Sequence, residues 1–144
     1  MTPQAIAETS AVALWEKDEA SKWLGLSLDA IAPGAATMSL QVAPRHANGN
    51  GACHGGFIFT LADSAFAYAS NSRNRVAVAQ HATISFLRPG ALGETLVAEA
   101  REISLSDRSG LYDVTVMAQG EVIAEFRGAS RIISGAHFDT GSNP

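Results

Sequence analysis

The stretch from Phe57 to Ser72 constrains the fold more than any other part of this chain. It contains no Gly or Pro, is long enough for about four helical turns, and sets Phe57, Ile58, Phe59, Leu61, Ala62, Ala65, Phe66 and Ala69 around most of its circumference. A surface helix keeps a charged face, whereas a helix that is apolar nearly all round has to lie inside a core. The remaining elements must therefore wrap it.

Those that follow are suited to wrapping. Residues 76–87, 95–105, 111–118 and 122–133 are rich in alternating Val, Ile, Thr and Phe, and are separated by Arg88-Pro89-Gly90, Ser106 to Gly110 and Gln119-Gly120. Gaps so short predict antiparallel neighbours in a four-strand meander. Ahead of the helix, a Pro33-Gly34 turn leads into a half-buried strand over 35–42, with Thr37, Ser39 and Gln41 opposite Met38, Leu40 and Val42. Pro44 to Gly56 holds four glycines, two asparagines and two histidines, and reads as a loop. Residues from about 11 to 22 suit a short helix with Leu14, Trp15 and Trp23 turned inward, and 135–144 reads as a disordered tail. The layout is α+β, a curved antiparallel sheet around one central helix, and 144 residues suffice for a single domain over 1–144.

Charge and cysteine content narrow the function. A net charge of -4 argues against neutralising a nucleic-acid backbone. The lone Cys53 makes no internal disulfide, no early apolar run has the flanks of a signal peptide, and no stretch is long enough to span a bilayer, so a cytoplasmic protein without membrane contact is expected. With 47% hydrophobic and 17% charged residues, a single sheet around one helix would leave apolar edges uncovered, and a homo-oligomer is expected.

Asp63 is the one charged residue in the long helix. Burying an unpaired carboxylate costs several kcal/mol or forces it to take up a proton, so it needs a reason to be there. One reason is catalysis; the other is that Thr60, Asp63, Ser64, Ala67, Tyr68 and Asn71 form a polar stripe facing solvent, although one without Lys, Arg or Glu. Gly55 and Gly56 precede the helix, where unpaired N–H groups and the positive dipole end suit a developing oxyanion, or where glycines simply allow a tight entry. His46, Cys53, His54, Asp63 and His81 lack the spacing of a metal site, and no functional metal is expected. No dinucleotide fingerprint occurs, so no cofactor is expected, and without a Gly-x-Ser-x-Gly elbow nucleophilic serine catalysis is not expected either.

The segment HGGFIFTLADSAFAYASNS, from His54 to Ser72, resembles the hotdog-fold acyl-CoA thioesterases of phenylacetate catabolism, the PaaI type, in which a His-Gly-Gly turn opens the central helix and an acid lies nine residues after the His. The resemblance extends through Asn48-Gly49 upstream and ISFLRPG (Ile84 to Gly90) downstream, and more weakly to about Ile133. It implies a hotdog fold and hydrolysis of an aryl-acetyl thioester of coenzyme A, phenylacetyl or hydroxyphenylacetyl. By the same resemblance Asp63 acts as nucleophile or general base, the Gly55 N–H polarises the carbonyl, His54 donates a hydrogen bond near the sulfur or carbonyl, and Asn48 orients substrate or water. It also implies a homodimer or homotetramer with active sites in the seam between chains. Some related thioesterases carry a hydroxyl residue four positions after the acid; here that place is Ala67. Arg88, Arg127 and Arg131 are candidates for the coenzyme A phosphates, or ordinary solvated edge residues. A hydratase or dehydratase on the same fold, and a non-catalytic acyl-CoA sensor, are the competing readings.

Overall fold

The computed structural model describes residues 1–141. Helices α1 (Pro3–Lys17) and α2 (Glu19–Leu24) lead into strands β1 (Ser27–Ala32) and β2 (Ala35–Gln41), then the long helix α3 (Gly55–Ser70), and finally β3 (Ala77–Phe86), β4 (Thr95–Ser106), β5 (Ser109–Ala118) and β6 (Glu121–Ile132). The six strands form one antiparallel sheet in the order β1-β2-β4-β5-β6-β3, and α3 packs against every one of them. This is the α+β arrangement of a curved sheet around one helix that the sequence indicates.

Alternation along each strand builds the concave face. One inward row crosses the sheet as Met38, Ala98, Val116, Ala124 and Phe86, and the next as Ala36, Ala100, Val114, Phe126 and Ile84. The alanines in these rows leave room for a helix. On α3, Ala62, Ala65 and Ala69 are fully buried, and small side chains on both partners let the helix axis approach the sheet closely. Gly128 extends the same logic: a Cβ there would lie 2.8 Å from the Phe66 ring, so glycine makes the seat for Phe66. Burying a Phe of this kind contributes about 1.5–3 kcal/mol.

Several sequence expectations need correction. The helix expected over about 11–22 begins at Pro3, with Thr2 accepting from the Ala5 N–H at 3.0 Å, and is interrupted at Asp18. Asp18 ends α1 and caps α2, its carboxylate accepting from the Ser21 N–H at 3.1 Å and the Ser21 hydroxyl at 2.6 Å. This re-aims the chain, and Trp23, expected inside, is 75% exposed. An additional strand, β1, precedes the expected one. The last four strands are not a simple meander: β3 pairs with β6, while β4 pairs with β2 and β5. The 87–94 connection crosses the sheet, tied to the loop before α3 by the Cys53 N–H to Gly90 carbonyl bond at 2.8 Å. Nor is the stretch from Gly135 loose throughout. The His137 and Phe138 N–H groups donate to Asn74 Oδ1, and His137 Nε2 donates to Asn71 Oδ1 at 2.8 Å, while 142–144 lie outside the described residues.

The two sheet edges differ. β1 is covered by α1, whereas β3 bonds only to β6 and leaves its other edge open, with Val78, Phe86 and the following Leu87 exposed. Among the described residues, no helix is long and apolar enough to cross a membrane.

Candidate active site

The loop before α3 is rigid because its polar groups are satisfied locally. Asn48 Oδ1 accepts from the N–H groups of Asn50 and Ala52, at 2.9 and 3.2 Å, and His46 is buried with both ring nitrogens engaged. Nδ1 of His46 accepts from the Ala43 N–H at 2.9 Å, so its proton sits on Nε2, which donates to the Leu24 carbonyl at 2.9 Å. The His54 N–H in turn donates to the His46 carbonyl at 2.7 Å, fixing the residue that starts α3.

His54 is the N-cap. Its Nδ1 accepts from the Gly56 N–H at 2.8 Å and its carbonyl accepts from the N–H groups of Phe57 and Ile58, at 2.9 and 3.3 Å. The Ile58 bond is the first of the helix itself; of the four N–H groups that a helix start leaves without intrahelical partners, those of His54, Gly56 and Phe57 are taken, by the His46 carbonyl, His54 Nδ1 and the His54 carbonyl. The fourth, on Gly55, has no partner among the described residues. The helix dipole adds positive potential at that point. Because Nδ1 of His54 is an acceptor, its proton lies on Nε2, and the exposed ring presents that N–H outward.

Gly55 and Asn48 line one cleft of about 320 Å³, with Cys53, Phe86, Leu87 and Arg88. Packing is close here: a Cβ at position 55 would lie 3.3 Å from Phe86 Cζ, and the ring would have to give by a few tenths of an ångström to admit it. Asp63 lines another cleft of about 320 Å³, with Leu14, Lys17, Asp18, Ala67 and Tyr68. Its half-buried carboxylate has no hydrogen-bond or ion-pair partner among the described residues, and burial holds its pKa above the ordinary value. The floor of this cleft is stiff, since the buried Tyr68 hydroxyl donates to Asp18 at 3.0 Å. Burial, then the hydrogen bond to Asp18 and its charge, push the Tyr68 hydroxyl far above its ordinary pKa, so it stays protonated.

The expected residues therefore fall into two groups. Asn48, His54 and Gly55 stand together at the start of α3, and Asp63 stands apart, eight residues on, or about 12 Å along the axis at roughly 1.5 Å per residue. One carbonyl in hydrogen-bond reach of Gly55 cannot also touch Asp63 of the same chain. Phe86 and Asp18 are additions to the sequence-derived set. ISFLRPG pointed at Phe86, but only the sheet order shows that its ring covers Gly55; Asp18 was legible as the cap of an Asp-x-x-Ser turn. A further cavity, about 580 Å³ between α1 and β1, contains none of the expected residues. Among the described residues, no three His, Cys, Asp or Glu side chains gather as metal ligands would.

Comparison with known proteins places this geometry. The profile of the thioesterase superfamily matches residues 50–125. The acyl-coenzyme A thioesterase PaaI of Escherichia coli strain K12 is 42% identical over 127 residues, covering 88% of this chain and 91% of that protein. The structure of the E. coli PaaI protein superposes with a TM-score of 0.92 over 94% of this chain and 99% of the other, at 40% identity. A Streptococcus mutans protein solved with bound acetyl CoA matches with a TM-score of 0.73 at 28% identity, over 77% of this chain and 90% of that one.

Proposed function

Because the chain belongs to the thioesterase superfamily and is an acyl-CoA thioester hydrolase of the PaaI type, we propose that it releases coenzyme A from aryl-acetyl thioesters at a site shared between two copies of itself. The observation that carries this reading is the unpartnered Gly55 N–H, left over at a helix start where the Gly56 and Phe57 N–H groups are taken by His54 and the His54 N–H by the His46 carbonyl. A thioester oxygen accepting from Gly55 would gain a fixed donor and the helix dipole as negative charge grows on it, and neither has to reorganise during the reaction.

The carboxylate comes from the second copy. Pairing of two β3 edges about a twofold axis runs the α3 helices antiparallel, so that the start of one approaches the middle of the other, and it covers the open edge at Val78 while Phe86 and Leu87, at and beyond the end of β3, stay open on the cleft side. Asp63 then faces the carbonyl held by Gly55 of its neighbour. An unpaired carboxylate, raised in pKa by burial, is a better base than a solvated one. It either attacks the carbonyl carbon, forming an acyl-enzyme anhydride that water opens, or takes the proton from a water that attacks. In both routes the departing thiolate gains a hydrogen bond from Nε2–H of His54, and the amide of Asn48, whose oxygen is engaged in its own loop, offers N–H groups to substrate or water.

For the acyl group, support comes from the cleft beside Asp63. At about 320 Å³ it lies near the small end of ligand pockets, and Leu14, Ala67 and Tyr68 give it an apolar wall suited to a ring. The description of the E. coli relative as a protein of the phenylacetic acid degradation operon favours the same class. The test is a panel of acetyl, hexanoyl, palmitoyl, benzoyl and phenylacetyl CoA assayed for released thiol, with Asp63→Asn as control. The expected result is a kcat/KM highest for phenylacetyl CoA, and about a thousandfold lower kcat in the variant. A preference for palmitoyl CoA would remove the aryl-acetyl assignment, and a fully active variant would remove Asp63.

A further inference from the structure

We propose that Arg88 binds a phosphate of the coenzyme A half of the substrate at the rim of the Gly55 cleft, and that Glu121 keeps its place until the phosphate arrives. This rests on the thioesterase reading of that cleft. A thioester whose oxygen sits at Gly55 must lead its long, partly apolar arm out of the cleft to several negative charges. Leaving Gly55, the wall is first Phe86, whose ring packs against the glycine, then Leu87, then Arg88. Phe86 and Leu87 are 52% and 57% exposed, an apolar strip open to an arm lying along it. Arg88 is two residues past Phe86, on the order of 7 Å of extended chain, and its side chain adds its own length beyond that.

The state of the arginine fits a binding role better than a structural one. Arg88 makes a single contact with Glu121, Nη1 to Oε2 at 3.0 Å, and the two side chains are 59% and 62% exposed. A pair so exposed contributes little to stability. A phosphate oxygen is also a good acceptor for a planar guanidinium, so exchanging the carboxylate for a phosphate costs little. The other sequence candidates are placed or engaged differently. Arg127 is held at two points by Asp113, Nε to Oδ1 at 2.6 Å and Nη2 to Oδ2 at 2.9 Å. The strand register puts it opposite Thr83, and puts Arg131 opposite Val78, whereas the cleft end of β6 is Ala124 opposite Phe86. At about 3.3 Å per residue they stand roughly 10 and 23 Å along β6 from that end. Arg88 is the cation of the three that lines the cleft.

The experiment compares one acyl group, whichever the enzyme turns over fastest, carried on coenzyme A, on dephospho-coenzyme A and on pantetheine. For Arg88→Ala, KM on the coenzyme A thioester is expected to rise about tenfold with kcat within twofold, while KM on the pantetheine thioester stays unchanged. Arg88→Lys should recover part of the loss, and Glu121→Gln should lower KM on the coenzyme A thioester about two- to threefold. If the dephospho substrate already behaves like pantetheine in the wild-type enzyme, Arg88 reads the 3′-phosphate; if it behaves like the full substrate, Arg88 reads the pyrophosphate. Equal effects of Arg88→Ala on both the coenzyme A and pantetheine substrates, or no effect on either, would overturn the assignment. Should no thioester be hydrolysed at all, the functional reading fails by itself and Arg88 is judged by calorimetry with free coenzyme A. There, a tenfold weaker Kd in Arg88→Ala supports it, and an unchanged Kd or no binding by the wild type rejects it.

Discussion

If the active site is assembled from two copies, two inactive variants should rescue each other. Gly55→Pro removes the proposed oxyanion donor with little other change: His54 already has φ -59° and ψ 132°, the extended conformation that a residue before proline adopts, and Gly55 is the first helical residue, where proline fits. The added Cβ comes 3.3 Å from the edge of Phe86, a half-exposed ring that can shift by the few tenths of an ångström needed. Loss of one such donor costs about 10²–10³ in kcat, or roughly 2.7–4 kcal/mol; Asp63→Asn removes the carboxylate instead, and each variant alone should retain about 1% of activity or less. In a twofold dimer of one chain of each kind, one site holds both defects and the other holds an intact Gly55 and an intact Asp63. Random pairing of equal amounts makes half the dimers mixed, so about a quarter of all sites become wild type. The two chains, carrying different affinity tags, are co-expressed; mixed dimers are verified by native mass spectrometry and assayed for thiol release. Recovery near 25% supports a shared site. Activity no higher than the mean of the two parents, with mixed dimers present, would mean that Asp63 and Gly55 do not meet across an interface, and the roughly 12 Å of helix between them would then have to be bridged in some other way.

Two further outcomes follow from burial. Asp63 has its pKa raised by desolvation, so the acid limb of kcat should lie above the ordinary carboxylate range, with the rate rising as pH rises through the raised value; a limb at or below about 4 would contradict this. The stability effect has the opposite sense. Below the unfolded pKa both states hold the proton; as pH rises toward the folded value only the unfolded state releases it, so the folded state loses stability over that window. Asp63→Asn should accordingly raise Tm at pH 7 and lose that advantage in acid, as thermal melts across pH would show. Asn71 is 6% exposed and ties the end of α3 to β3, accepting from the Ala77 N–H at 2.9 Å and donating to the Ala77 carbonyl at 3.1 Å. Asn71→Ala leaves both backbone groups buried without those partners and should lower the unfolding free energy by on the order of 2–4 kcal/mol in urea titration, whereas a change under 1 kcal/mol would show that water replaces the amide.

Local pattern was enough for much of this protein. An unbroken apolar helix of the length of Gly55–Ser70 can only be a core element, strand alternation is a local period of two, and the four strands after α3 lie within a few residues of where that period puts them. His54, Gly55 and Asn48 were legible for the same reason, since a cap, a glycine and an Asx turn act over two to four residues of chain. Pairing is not local. The assignment of β3 to β6 rather than β4 depends on which edge remains free once the sheet has closed around the helix, and no strand sequence carries that information. Trp23 turned outward because one carboxylate, Asp18, found Ser21 and Tyr68 and broke the helix before it. The three-dimensional arrangement also decided which N–H at the start of α3 is left without a partner among the described residues. The neighbours of Gly55, His54, Gly56 and Phe57, have the same donor group, and Gly55 differs because the His46 carbonyl and His54 satisfy theirs, while the ring of Phe86, from the far edge of the sheet, packs beside Gly55 and leaves its N–H without a protein partner.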